Sequence, residues 1–491
     1  MRWNILLVAA LSLGLGLGAA EARTTLTIGI QQEPPVLDPT LDATAAIAVI
    51  TAHNVFEKLV SVAEDGSIVP ALAHRFEVSD DGLRYVFHLH DDVVFHDGAP
   101  FDASNVVFSF ERAMDTSGAN PQRQSFAFVE KVEALDPLTV QITLSRPDAF
   151  FLFNMAQAQA SIFSPETVAT NATRPVGTGP YRFVAWSRGD RLTLERFEGH
   201  RDAGDVAIER VTFRFIADPT AAVAALLAGE IDAFPGMPAP EALARLERDP
   251  RFDVVVGTTE GEVILAFNHG RPPLDDLRVR RAISHALDRQ AIIDGAYYGY
   301  GEPIGSFFPP HHRAYVDLTG LYPHDPARAR ALLAEAGVEE LRLSLRVPTF
   351  PYARRSAEIV QAQLAEVGIR VALETVEWGY WISEIFGNRN YDMTIIAHTS
   401  PNDLGNFARG PEYYWAFHDP AFDALWERVR EATDPAEMDR LLQRAQRFVA
   451  AEAVHGFLFQ LPQLGVYRQG LTGYRVSSPV IFAPLGELAW E

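Results

Sequence analysis

Fourteen histidines, 64 carboxylates and a cation set made almost wholly of arginine carry the chemistry of this 491-residue sequence, and cysteine is absent. Without thiols there are no disulfides, thiolate metal centres, cysteine nucleophiles or lipid-modified N-terminal cysteine. The two lysines, Lys58 and Lys131, do not follow glycines, which disfavours a phosphate-cradling Walker loop and most Schiff-base chemistry. His88 and His90 lie two apart in the alternating stretch YVFHLH and so share one strand face, with His96 and Asp97 just beyond. Zinc or nickel could in principle be held there. Alternation puts Phe87 and Leu89 on the opposite face, however, so the histidines read as a solvated strand surface. His311 and His312 are adjacent in a proline-flanked loop, and adjacent residues seldom converge on one ion. No metal site is expected. Neither a G-x-S-x-G elbow nor an H-E-x-x-H helix is present, although counting cannot remove a catalytic carboxylate pair, and a secreted hydrolase of that kind stays a rival reading.

Aromatic side chains are concentrated in two blocks, EWGYWISEIF with Trp378 and Trp381, and PEYYWAF with Tyr414. They flank a segment, YDMTIIAHTSPNDLGNF, that reads as a buried strand running into a polar loop. Loops beyond strand ends line the ligand crevice of an α/β sheet. His398, Asn402, Asp403 and Asn406 would then reach a cleft whose walls the tryptophans and tyrosines supply. The other reading of the same aromatics is plain core under a solvated turn. Taken together, the cluster is read as a binding site.

The elements that must position these residues are legible from their ends. Asp-Pro recurs at Asp218-Pro219, Asp325-Pro326, Asp419-Pro420 and Asp434-Pro435, each ahead of a helical apolar pattern. Asp caps the free amides, and Pro at the first helical position lacks a donor that would be orphaned anyway. The helix after Asp218 should end at Gly229 and be followed by a strand over residues 231–234. The same pattern gives a helix from Pro326 to Gly337, strand LRLSLRV, helix ARRSAEIVQAQLAEVG and strand IRVALETV, an alternation expected of a sheet covered by helices. Residues from about 60 to 150 differ: alternating YVFHLH and the hairpin VEALDPLTVQITL read as an antiparallel α+β insertion. Gly177-Thr178-Gly179-Pro180 reads as a tight turn, since Pro180 removes a donor and Tyr181-Arg182-Phe183 continues as a strand. Asp38-Pro39 is expected to begin a helix.

Composition bounds the function. A net charge of −22 repels phosphate backbones and anionic lipid, so nucleic acid is not an expected partner. Arg2, an apolar run from Ile5 to Ala20 and the small-x-small pattern Ala20-Glu21-Ala22 predict a signal peptide, residues 1–22, cleaved after Ala22. A periplasmic protein without membrane insertion is expected.

TLTIGIQQEPPVLDPT at the start, the block GSIVPALAHRFEVSDDGLRYVFHLHDDVVFHDGAPFDASNVVFSFERAM, the turn PVGTGPYRF and the segment LAFNHGRPPLDDLRVRRAISHALDRQAII resemble the family 5 extracellular solute-binding proteins, the dipeptide- and oligopeptide-type receptors of bacterial ABC importers. The resemblance implies a type II bilobal periplasmic binding protein of α/β class with an extra α+β subdomain inserted in lobe I. Its implied parts are lobe I (23–50, 180–268 and 463–491), the inserted subdomain (51–179) and lobe II (269–462), with crossings near Asn268 and Leu461-Pro462. It also implies a cofactor-free, non-enzymatic monomer that closes over a peptide and delivers it to the transmembrane subunits of a permease. Relatives hold a ligand ammonium with an acidic residue in the loop after the tryptophan-rich segment, here Asp403, and a carboxylate with an arginine, here Arg354 or Arg355. The loop reads Asp-Leu-Gly where the family has Asp-Pro-Asp, which keeps non-peptide ligands open: a nickel chelate, an opine, a haem-like molecule or an oligosaccharide. Glu33, just past the strand LTIGI, is a further expected ligand contact.

Overall fold

The computed structural model describes residues 23–64, 66–118, 120–338, 340–400, 403–477 and 484–491. The expected signal peptide and Asn402 fall outside them. All four Asp-Pro helix starts form. The carboxylates of Asp218, Asp325, Asp419 and Asp434 accept backbone N–H groups of the first turns of helices Pro219–Ala228, Pro326–Glu335, Pro420–Glu431 and Pro435–Ala451. Gly229 ends the first of these at φ 74°, left-handed as glycine permits. The strand beyond it is shorter than expected, Ala233–Phe234. Asp38-Pro39 does not start a helix: the buried Asp38 carboxylate accepts from the Thr40 amide (2.9 Å) and from Arg112 (2.7 Å), fixing a turn, and the helix begins at Ala45.

Two large sheets organise the chain. One runs in the order Phe252–Gly257, Gln463–Arg468, Ala233–Phe234, Thr25–Ile30, Arg210–Phe215, Arg191–Arg196, Tyr181–Ser187. The other runs Glu302–Pro303, His455–Gln460, Glu262–Phe267, Met393–His398, Leu341–Pro348, Ile369–Val376. Strand Glu262–Phe267 thus belongs to the six-stranded sheet, paired on both edges, and the chain changes sheet at residues 258–261 rather than near Asn268. Its six residues are all buried, as a central strand requires. A third, four-stranded antiparallel sheet (Ala73–Val78, Arg84–Leu89, Thr139–Leu144, Val129–Asp136) packs on helix Ala103–Met114 around its own core of Phe87, Phe95, Val106, Phe110 and Ile142. His88 on that sheet and His90 just past its strand are half-buried, and among the described residues no group of three or more histidines and carboxylates is gathered as metal ligands. At the Gly177–Pro180 turn, a Cβ on Gly177 would lie 2.0 Å from the Val55 carbonyl oxygen, so glycine there answers a close backbone approach. No helix among the described residues is long and apolar enough to cross a membrane.

Candidate functional site

Two crossings join the large sheets, residues 258–261 and 461–462, and they run side by side. Leu461 N donates to Gly261 O at 2.7 Å, and the Gln460 amide donates to the carbonyls of Thr259 (2.6 Å) and Leu461 (2.9 Å). Paired short connections of this kind confine relative motion of two rigid bodies to a bend about them. Beside them a crevice of about 90 Å³ opens, lined by Gln31, Met237 and Leu464 from the seven-stranded side and by Tyr297, Pro351 and Tyr352 from the other. The Tyr352 hydroxyl accepts from Ala397 N (3.1 Å), and burial raises the phenol pKa of both tyrosines.

Helix Pro351–Glu366 carries the two predicted arginines, and the structure separates them. Arg354 is exposed. Arg355 makes a bidentate pair with Glu241 (3.1 and 3.2 Å), a residue of helix Pro240–Leu246 on the other side of the crevice. One arginine therefore bridges the two bodies and the other is available to solvent.

The aromatic blocks divide differently. Residues 378–387 wind into a short helical stretch that continues as a π-helix over Trp381–Gly387, where Trp378 and Trp381 stack at 5.1 Å. Trp378 is half-buried. Trp381 and Tyr414, expected on the cleft wall, are core side chains at 3% and 1% exposure. Their polar atoms are used internally: Trp381 Nε1 donates to Thr394 Oγ1 (3.0 Å), and the Tyr414 hydroxyl bonds His398 Nε2 (2.9 Å). Packing against Ile264 and Ile396 of the sheet is what takes them inward.

His398 and Asp403 do come together, at 3.4 Å between Nδ1 and Oδ2. Asp403 also accepts from Ser400 N (3.1 Å) and the Asn406 amide (2.9 Å), so this carboxylate ties both residues to itself. Glu33 lies elsewhere. Its carboxylate accepts from Trp186 Nε1 (2.9 Å) and Gly189 N (3.0 Å), stapling the Gln31–Pro35 loop to a hairpin turn and leaving little capacity for a ligand.

Glu260 and Glu262 were not singled out from the sequence. Glu260 lies in the first crossing and pairs with His311 Nε2 at 2.7 Å. Glu262 begins the adjoining strand, directly opposite His398 on one neighbour and Gln460 on the other. Burial, then the charges of Asp403 and Glu260, push the Glu262 carboxyl well above its ordinary pKa. The signal for it was a charged residue opening an otherwise apolar buried strand, EVILAF.

The model of the bacterial extracellular solute-binding proteins, family 5, matches residues 67–421. The chain belongs to this family. It is 29% identical over 471 residues to the glutathione-binding protein GsiB of Pectobacterium atrosepticum, covering 91% of this chain and 90% of that one. It is 30% identical to heme-binding protein A of Haemophilus influenzae, with 86% of each chain covered. Among solved structures, the periplasmic binding protein DppA of Helicobacter pylori in complex with the peptide STSA is similar at a TM-score of 0.86 and 25% identity, over 96% of this chain and 98% of that one. The fold of this family 5 solute-binding protein is accordingly the type II bilobal one.

Proposed function

We propose that this chain is the extracytoplasmic substrate-binding component of an ABC importer, exported to the periplasm with cleavage after Ala22, which captures di- or oligopeptides between its lobes and passes them unchanged to a permease. Lobe I in this reading holds the seven-stranded sheet and carries the insertion at residues 51–179, and lobe II runs from Glu262 to Gln460. The observation that carries the reading is the pair of adjacent crossings beside a crevice lined from both lobes. A ligand bridging the two walls stabilises the closed form by the contacts it makes in that form alone. Asp403 with His398, and Arg354 on helix Pro351–Glu366, are the proposed readers of ligand charge, and Trp378 is the remaining candidate wall. A non-peptide ligand is the second reading, supported by the identity to a heme-binding protein and by the Asp-Leu-Gly loop.

Purified mature protein incubated with peptide and non-peptide pools tests this directly. A ligand at a hundredfold excess over its dissociation constant adds about 2.7 kcal/mol, visible as a melting shift. Recovery of the ligand intact supports the receptor, whereas chemical turnover sinks it in favour of a hydrolase.

A further inference from the structure

Six carboxylates are buried among the described residues: Asp38, Glu57, Asp148, Asp232, Glu260 and Glu262. Arginine answers four of them, Arg112 on Asp38 (2.7 Å), Arg201 on Glu57 (2.6 Å), Arg430 on Asp148 (3.1 Å) and Arg468 on Asp232 (3.0 Å). His311 answers Glu260. Glu262 departs from this pattern. It is 3% exposed, its Oε2 has no hydrogen-bond partner, and the charges acting on it are those of Asp403 and Glu260, both of its own sign. A buried carboxyl without a counter-ion is expensive to keep, and a protein that neutralises its other buried acids has the means to neutralise this one.

Its position explains the exception. Glu262 is the first residue of a strand that begins where the chain leaves the crossing between lobes. It shares a sheet face with Ile264 and Ala266, the face on which the aromatic core lies and toward which His398 of the paired strand also projects. Asp403, in the loop beyond that strand, is 16% exposed, and His311, paired with the neighbouring Glu260, is 33% exposed. Asp403 itself is largely occupied by Ser400, Asn406 and His398.

We propose that Glu262 is the ligand-reading carboxyl of the cleft, receiving between itself and Asp403 a cationic group of the ligand, an ammonium or a guanidinium. This rests on the receptor reading and narrows it to ligands that carry such a group. The charge that the other buried acids draw from arginine is here brought by the guest. Haem-like and oligosaccharide ligands are thereby disfavoured.

The test uses the mature protein, its Glu262→Gln variant and three cationic probes, Ala-Ala, arginine and putrescine, with N-acetyl-Ala-Ala as the control lacking the ammonium. At least one cationic probe should raise the melting temperature and the acetylated control should not. Glu262→Gln should weaken that probe by at least about tenfold. The same variant, without ligand and near neutral pH, should melt higher than wild type, because the amide needs no counter-ion. A residue with a merely structural role would lower it. Calorimetry of wild type in two buffers of different ionisation enthalpy gives a readout independent of the variant's folding: cation binding should release a proton. Equal affinity in Glu262→Gln, binding without proton release, or a wild type stabilised by none of the three cationic probes overturns the assignment. Closure seen by small-angle scattering with an uncharged or anionic ligand would overturn it too while leaving the receptor reading intact.

Discussion

At the scale of single residues, the molecule is governed by how buried charges are matched. Burial alone would raise the Glu57 pKa. The His200 imidazole, 3.7 Å away, and the paired Arg201 guanidinium outweigh it and hold the carboxyl at about 2. A carboxylate depressed in the folded state contributes stability that is complete above its unfolded value and is lost as pH falls toward the folded one. Acid titration should therefore show this loss between about pH 4.5 and 2. Arg201→Ala leaves Glu57 buried with its main counter-ion gone, and should cost about 3–5 kcal/mol in urea unfolding and move the acid limb to higher pH. Asp403→Ala addresses function: peptide affinity by calorimetry should fall at least tenfold, about 1.4 kcal/mol. Unchanged affinity would remove Asp403 from the site. That Asp403 and His398 belong at one end of a buried strand was legible, because the two lie within five residues of each other where the strand runs out. The diversion of Glu33 to Trp186 was not, since 153 residues separate the partners.

Helices and turns were the most readable layer, because the groups that end them are local. Asp434 caps its helix through Ala436 N and Glu437 N. Asp434→Ala should cost about 1 kcal/mol in thermal unfolding and leave ligand affinity unchanged. Gly177→Ala is expected to be worse, since the new methyl meets the Val55 carbonyl, and overpacking of this kind costs roughly 1–3 kcal/mol or more. An Ala variant as stable as wild type would show that the turn yields freely. Where element reading failed, a distant partner had intervened: Asp38-Pro39 looks like any of the four helix starts, but Arg112 and Thr40 claim its carboxylate.

Across the whole molecule, two sets of contacts bind the bodies besides the crossings. Glu241 and Arg355 form one. In the other, the segment after the four-stranded sheet docks on helix Pro420–Glu431. Arg430 pairs with Asp148 and lies 3.8 Å over Phe128, Arg146 pairs with Glu427, and Phe150 stacks on Trp426 at 5.6 Å. Glu241→Gln removes a partly exposed pair worth about 0.2–1 kcal/mol and should shift the closed population slightly. Arg430→Ala strands the buried Asp148 and should open the molecule more, read as a larger radius of gyration without ligand and a faster ligand off-rate. Scattering profiles identical to wild type would show that this contact plays no part in closure.

The four capped Asp-Pro helix starts, the α/β alternation, the inserted antiparallel unit and the family were readable in the sequence. Each rests on caps, periodicities and motifs that act within a few residues. Three-dimensional packing was needed to show that strand Glu262–Phe267 joins the six-stranded sheet, that Trp381 and Tyr414 are core, that Arg355 pairs with Glu241 while Arg354 is exposed, and that Glu262 is buried without a cation. Pairing of charges and sharing of a core depend on residues hundreds of positions apart, and no local pattern records which of forty arginines will reach which carboxylate.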